Sequence, residues 1–188
     1  AAGHEIANHT LTHPCSANFA FARGNALEDM TLDQMEADIL GANGTIERLL
    51  GVAPTTFAYP CGQTYVGRGT GVASYVPLVA AHFLAGRGAF NEAHNDPRYC
   101  DLAQLFGMAM DDVPFLYLKA LLDHAIDGGG GWLVLFGHDV GPDGGRQVTR
   151  TDTLDALCQY AADAGSGIWV DTVEAVASYV RKVRDEGC

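Results

Sequence analysis

The sequence has no long hydrophobic run and few basic residues. No stretch of about 18 consecutive apolar residues occurs, so no segment predicts a transmembrane helix. The chain has 11 lysines and arginines against 23 aspartates and glutamates, which gives a formal net charge of −12. This negative charge disfavours binding to nucleic acid or to an anionic membrane, and a neutral or weakly charged substrate is a better match.

The five cysteines match neither a disulfide-rich scaffold nor a zinc-binding motif. Their number is odd, their spacing is irregular and no CxxC pair is present. They are Cys15, Cys61, Cys100, Cys158 and Cys188. The redox compartment therefore stays open, and both a secreted and a cytoplasmic location are compatible with the sequence.

The first strongly periodic segment follows Thr31. Apolar residues recur there at helical spacing, and Thr31 with Gln34 forms the pattern of a capping box. Gly51 is placed to end this helix. A short buried strand over residues 55–59 follows and stops at Pro60, which predicts a helix, a turn and a strand in succession.

Strands and helices alternate through the remainder of the chain. Further helices are predicted over 72–83, with a kink at Pro77, and over 113–126, 151–164 and 173–183; further strands are predicted over 105–110, 132–136 and 167–170. A loop is expected over 63–71. This order, with apolar strands, indicates an α/β architecture with a parallel sheet or barrel, and the length suits a single domain over residues 1–188.

Two histidines stand four residues apart near the start of the chain, at His9 and His13. One helical turn or a tight loop can aim both imidazoles at one ion, and zinc favours such nitrogen ligands. An isolated pair at this spacing also arises by chance. A catalytic zinc site typically has three protein ligands, so the two histidines alone form an incomplete site.

Polar residues follow three of the predicted strands. The segment 59–62 predicts, by itself, a turn closed by proline and glycine. His138 follows the apolar run 132–136 and is either a structural hydrogen-bonding residue or an acid–base group. Asp111 or Asp112 could assist such a histidine, although acidic residues before a helix also favour its N-terminus.

These segments resemble the motifs of one family, in the family's order. Residues 3–14 (GHEIANHTLTHP) are similar to the second motif of the polysaccharide deacetylases, also called the nodulation-protein-B homology domain or carbohydrate esterase family four. Residues 57–62 (FAYPCG) resemble the third motif and 135–139 (LFGHD) the fifth. Residues 168–176 (IWVDTVEAV) are similar to the last strand and helix, so the resemblance extends nearly to the end of the chain.

The resemblance implies a distorted (β/α) barrel and metal-dependent removal of N- or O-linked acetyl groups from a polysaccharide or oligosaccharide. His9 and His13 would bind a divalent metal, with zinc expected, and water activated by it would attack the acetyl carbonyl. The backbone N–H of Cys61 would bind the oxyanion. His138 would act as the general acid, assisted by Asp111.

Three further residues acquire substrate-binding roles from the resemblance: Tyr59, Pro60 and Leu135. Leu135 would line the pocket that receives the acetyl methyl group. Ala58 stands where many members have an arginine that steadies the catalytic aspartate, so this sequence departs from the family's pattern at that position.

No counterpart of the family's first motif, Thr-Phe-Asp-Asp, precedes Gly3. The chain also starts with neither an initiator methionine nor a signal-peptide pattern, so we expect the native start to lie upstream. Because that motif supplies the base aspartate and the third metal ligand, the resemblance implies a barrel without its first strand, weak metal binding and little activity for residues 1–188. The alternative function is a catalytically inactive carbohydrate- or metal-binding module with the same fold.

Overall fold

The structure is a computed structural model that describes residues 3–187. Its helices and strands, in chain order, are α1 (Leu32–Leu50), β1 (Thr56–Ala58), β2 (Tyr65–Val66), β3 (Ala73–Ser74), α2 (Val76–His82), β4 (Ala85–Arg87), β5 (Gly107–Ala109), α3 (Phe115–Asp127), β6 (Val134–Phe136), β7 (Asp139–Gly141), β8 (Val148–Arg150), α4 (Thr151–Ala162) and α5 (Val173–Asp185). They group into two compact units. Unit 1 comprises the chain up to Gly88, Asp101–Leu105 and the chain from Thr172, and unit 2 comprises Ala89–Cys100 and Phe106–Asp171.

Helix α1 confirms the prediction made from its caps. The Thr31 side chain accepts a hydrogen bond from Gln34 N at 3.2 Å, and the Gln34 side chain accepts one from Thr31 N at 2.8 Å. Gly51 ends the helix in the left-handed conformation with φ 67°, which glycine adopts without steric cost. Met35 and Ile39 are fully buried, so the apolar side of α1 packs into unit 1.

Unit 1 is built around the parallel pair β1 and β4, in which Thr56 pairs with Ala85 and Ala58 with Arg87. Its buried apolar cluster consists of Leu27, Met35, Ile39, Phe57, Tyr59, Val66, Tyr75, Val79 and Phe83. The segment before His9 runs parallel to β1, because Asn8 N donates to Thr56 O and Ala58 N donates to Asn8 O. The N-terminal histidines are therefore placed by the end of β1.

Unit 2 contains the parallel pair β5 and β6, in register from Gly107–Val134 to Ala109–Phe136. Helix α3 buries Leu118 and Ala125. Helix α4 is tied to α3 by the Tyr160 hydroxyl, which donates to Asp123 at 2.6 Å. The parallel pair β7 and β8 completes the unit.

The α/β class is confirmed, and the strands within residues 3–187 form four two-stranded sheets; the barrel that the resemblance implies stays a prediction. The predicted helix over 72–83 is shorter, because Ala73–Ser74 is strand β3 and Pro77 lies in the first turn of α2 instead of kinking it. Strand β4 was not predicted; it has alanine, glycine and arginine in place of β-branched residues. No helix in the part of the chain that the structure describes is long and apolar enough to span a membrane.

The strand predicted over 167–170 is wrong. These residues have no regular secondary structure, and Trp169 and Val170 are 54% and 72% exposed. A strand needs a partner for its backbone and a buried side for apolar residues, and this segment buries neither large side chain. The closing helix was predicted correctly and begins after Thr172, whose hydroxyl accepts a hydrogen bond from Ala175 N.

Candidate active site

The imidazole rings of His9 and His13 lie side by side in unit 1. Their centroids are 4.8 Å apart and their planes are inclined by 75°. Both residues are exposed, so an ion could reach them from solvent. The residues around them show how this proximity arises.

The end of strand β1 fixes the orientation of the His9 ring. Its Nδ1 lies 2.7 Å from the Ala58 carbonyl oxygen. A carbonyl can only accept a hydrogen bond, so Nδ1 carries the proton and the lone pair lies on Nε2. Histidines that bind metals usually have one ring nitrogen bonded in this way, which fixes the tautomer and the ring orientation.

Asn8 anchors the same segment from inside the protein. It is fully buried, and its side-chain amide donates to Ile39 O at 2.9 Å and to Asn43 Oδ1 at 2.6 Å. Its Oδ1 accepts from Thr10 N at 2.7 Å. Because the polar atoms of Asn8 are paired with helix α1 and with the next loop, the residue that follows it cannot shift freely.

A tight loop, and not a helical turn, brings His13 back to His9. Thr10 and His13 have φ values of 66° and 52°, a region that costs energy for residues with a Cβ. The carboxylate of Asp38 supports the loop by accepting from Leu11 N, Thr12 N and the Thr12 hydroxyl. Such strained positions concentrate at functional sites, which is consistent with a binding role for this loop.

The turn after β1 is joined covalently to the histidine loop. Cys61 has φ 54° and forms a disulfide with Cys15, 46 residues away in sequence. The Sγ of Cys15 lies 3.7 Å from His13 Nδ1. In the part of the chain that the structure describes, the Cys61 N–H donates to no protein acceptor, so it is available to a ligand.

The disulfide was not predicted from the sequence. A signal was present, because Cys15 follows His13 by two residues and Cys61 lies in the second segment assigned to the same site. The sulfur atoms of both cysteines and a ring nitrogen of His13 lie within 4.8 Å of one another, a spacing suited to a metal ion. Sulfurs joined in a disulfide are not thiolates, however, so in the oxidised protein the fitting donors are the two imidazoles.

Two of the residues predicted to bind substrate, Tyr59 and Pro60, are buried. The Tyr59 hydroxyl donates to the Ala103 carbonyl at 2.7 Å, and burial, with the nearby charge of Asp101, raises the pKa of Tyr59. Contact with a ligand at this turn would therefore come from its backbone. Leu135, in β6, is partly exposed and stays a predicted pocket residue.

An exposed pair of aromatic rings lies beside His13. Phe19 and Phe21 are 39% and 69% exposed. Their rings are stacked with centroids 5.4 Å apart, and the Phe21 ring is 6.4 Å from that of His13. Neither residue lies in a segment that resembles a family motif.

His138 and Asp111 meet in unit 2 because of strand register. Ala109 of β5 pairs with Phe136 of β6, and each candidate residue follows its strand by two positions. The His138 Nδ1 lies 2.5 Å from Asp111 Oδ2, and His138 N donates to Asp111 Oδ1 at 3.1 Å. Asp112 is exposed, with φ 51°, so the structure brings Asp111 to the histidine.

The Asp111 carboxylate is held as an anion by three donors. The hydroxyl of Thr149, a buried residue, donates to Oδ1 at 2.9 Å in addition to the two bonds from His138. Desolvation raises the pKa of Asp111, but the hydrogen bonds from His138 and Thr149 outweigh it and the net pKa is lowered. Gly137 allows this close arrangement, because a Cβ there would overlap the Thr149 hydroxyl.

Two comparisons with known proteins find similarity to polysaccharide deacetylases. The family model for polysaccharide deacetylase matches residues 1–72, which include His9, His13 and Cys61. The fold is similar to the crystal structure of a protein from Mycobacterium smegmatis that is provisionally named a polysaccharide deacetylase, with a TM-score of 0.63 and 18% identity over 97% of this chain. This chain spans 65% of that protein's length. No curated protein matches the sequence.

Proposed function

We propose that this protein removes acetyl groups from a polysaccharide. The family match over residues 1–72 and the similarity of the fold to a polysaccharide deacetylase structure support this proposal. The observation that carries the proposal is the pair of imidazoles at His9 and His13, on a segment that the Cys15–Cys61 disulfide joins to the turn after β1. Within residues 3–187, the Cys61 N–H of that turn donates to no protein acceptor. A nitrogen pair next to a backbone donor suits hydrolysis of an acyl group, in which charge develops on the carbonyl oxygen.

His9 and His13 would hold a divalent metal, and zinc is the ion that their nitrogens suit best. Bound there, the metal would polarise the acetyl carbonyl and activate water. The hydrogen bond from His9 Nδ1 to Ala58 O keeps the Nε2 lone pair as the donor. The Cys61 N–H would donate to the developing oxyanion, which breaks no hydrogen bond to the described residues 3–187.

His138 is the proposed general acid. Because Asp111 accepts the Nδ1 hydrogen of His138, Nε2 is the nitrogen that would give its proton to the departing sugar amine or hydroxyl. The carboxylate fixes the orientation of the ring. Leu135 would contact the acetyl methyl group.

The exposed aromatic pair Phe19–Phe21 is a candidate contact for the sugar rings of the polysaccharide. Pyranose rings have an apolar face of C–H groups that packs on the electron-rich face of an aromatic ring. We expect Phe21→Ala to weaken binding of an acetylated oligosaccharide by about tenfold, as expected from loss of ring burial. Calorimetric titration measures this. Tyr99→Ala, which removes an 82% exposed ring elsewhere, is the control, and equal effects of both variants would contradict the assignment.

The second candidate is a carbohydrate- or metal-binding module without catalysis. Within residues 3–187, no aspartate or glutamate joins His9 and His13 in a three-residue group of metal-ligand atoms. A catalytic zinc usually has a third protein ligand, so this observation favours binding without turnover by the residues described.

Acetate release decides between the two functions. Acetylated xylan, chitin oligomers and peptidoglycan are incubated with the full-length gene product after chelation and again after zinc is restored. We expect release that disappears on chelation and returns with zinc. Binding of one of these polymers without acetate release at any metal concentration would favour the module and contradict the deacetylase.

A further inference from the structure

The Cys15–Cys61 disulfide is surrounded by groups that suit a second kind of metal site. The ligand atoms of His13, Cys15 and Cys61 lie within 4.8 Å of one another. Zinc–nitrogen and zinc–sulfur bonds of about 2.0 and 2.3 Å at a tetrahedral angle separate the two ligand atoms by about 3.5 Å. The observed distance from His13 Nδ1 to Cys15 Sγ is 3.7 Å, so this edge of a tetrahedron is already formed.

We propose that reduction of the Cys15–Cys61 disulfide creates a thiolate-rich site for zinc or a similar soft divalent ion, made of His13 and the two cysteines. Two electrons from a thiol or phosphine reductant, together with two protons from the solution, convert the disulfide into two thiols. Binding of one divalent ion then forms two metal–sulfur bonds and releases the two thiol protons. The imidazole of His13 supplies the third ligand.

The surroundings of the two cysteines keep them together after reduction. Cys15 is fully buried, and its carbonyl accepts a hydrogen bond from Leu27 N. The adjoining Ser16 N donates to the side chain of Gln63, two residues after Cys61. Non-covalent contacts therefore hold both segments, and the thiols would stay within reach of one ion.

The site has a consequence for His13. In the oxidised protein, His13 lies beside His9 and is a ligand of the metal site in the proposed function, on which this step rests. His13 cannot bind two separate ions through the same nitrogen. Thiolates bind soft ions more strongly than the imidazole pair alone. Reduction thus draws the ion from the two histidines to the sulfurs, and the redox state of one disulfide selects which ligand set is used.

Cobalt(II) added to the whole chain tests the proposal without reference to deacetylation. The chain reduced with tris(2-carboxyethyl)phosphine should develop a thiolate-to-cobalt charge-transfer band that the oxidised chain lacks, and excess zinc should remove it. Cys15→Ser and Cys61→Ser should each weaken cobalt binding by more than about tenfold, since loss of a mere outer-shell partner costs about 10–100-fold. Circular dichroism verifies that each sample stays folded.

Cys158→Ser is the matched control, because Cys158 is exposed and lies outside the disulfide. This variant should retain the band. The proposal is overturned if the reduced, folded chain shows no band, or if the band persists in the Cys15→Ser and Cys61→Ser double variant and so arises from other cysteines. Absence of acetate release in a separate assay would contradict the deacetylase and leave this metal site unaffected.

Discussion

Replacing His13 with asparagine is expected to lower zinc affinity by at least about 10–100-fold, because loss of a direct ligand costs no less than loss of an outer partner. Metal-dependent acetate release should fall to background. Asparagine is chosen because His13 has φ 52°, a conformation that asparagine tolerates better than alanine. The fold of the loop is thereby preserved while the imidazole is removed.

Calorimetric zinc titration and acetate release are measured on the oxidised protein, so that the cysteines do not take part. His82→Asn serves as the control. His82 is a histidine of the same unit that pairs with Glu36 at 2.7 Å on the surface of α1 and α2, and its loss should leave zinc affinity unchanged. Wild-type zinc affinity in the His13 variant would remove the basis of the proposed metal site.

The local elements of unit 1 could be predicted because their signals are local. Thr31, Gln34 and Gly51 specify both ends of α1 within the helix and its flanking residues, and the structure has both caps. Strand β4 carried no such signal. Its three residues, with Gly86 in the centre, become a strand only because β1 offers a parallel partner, which is a tertiary effect that overrides weak propensity.

In the candidate site, too, local features could be predicted from the sequence, whereas contacts between distant segments could not. The spacing of His9 and His13 predicts their proximity, but the left-handed loop that achieves it depends on Asp38 in α1, 25 residues beyond His13. The Cys15–Cys61 disulfide depends on Asn8 lying beside Phe57, a pairing between distant segments that composition does not encode. Apart from the family resemblance, the sequence marks Asp111 or Asp112 and His138 only as neighbours of strand ends. The β5–β6 register is what brings Asp111 to His138.

Replacing Asp111 with asparagine is expected to reduce the rate of acetate release by about 10²–10⁴-fold, the range for loss of general acid–base assistance. An amide can accept the Nδ1 hydrogen of His138 only weakly, and it can instead donate to this nitrogen and favour the wrong tautomer. The loss should appear in kcat with little change in KM, because the carboxylate orients the ring that gives its proton in the chemical step and has no proposed role in substrate binding. Asp112→Asn, one residue away and exposed, should keep nearly the full rate.

The same variant gives a second readout in stability. Folding lowers the pKa of Asp111, so its carboxylate stabilises the folded protein above the unfolded-state pKa of about 3.9, and this stabilisation is lost as the pH falls through the lower folded-state pKa. The difference in unfolding free energy between wild type and Asp111→Asn should be constant near neutral pH and shrink in acid below about pH 4. Denaturant unfolding at a series of pH values measures it. A difference that grew in acid would mean that Asp111 is protonated in the folded protein, and the carboxylate could not then hold the His138 tautomer that the general-acid role requires.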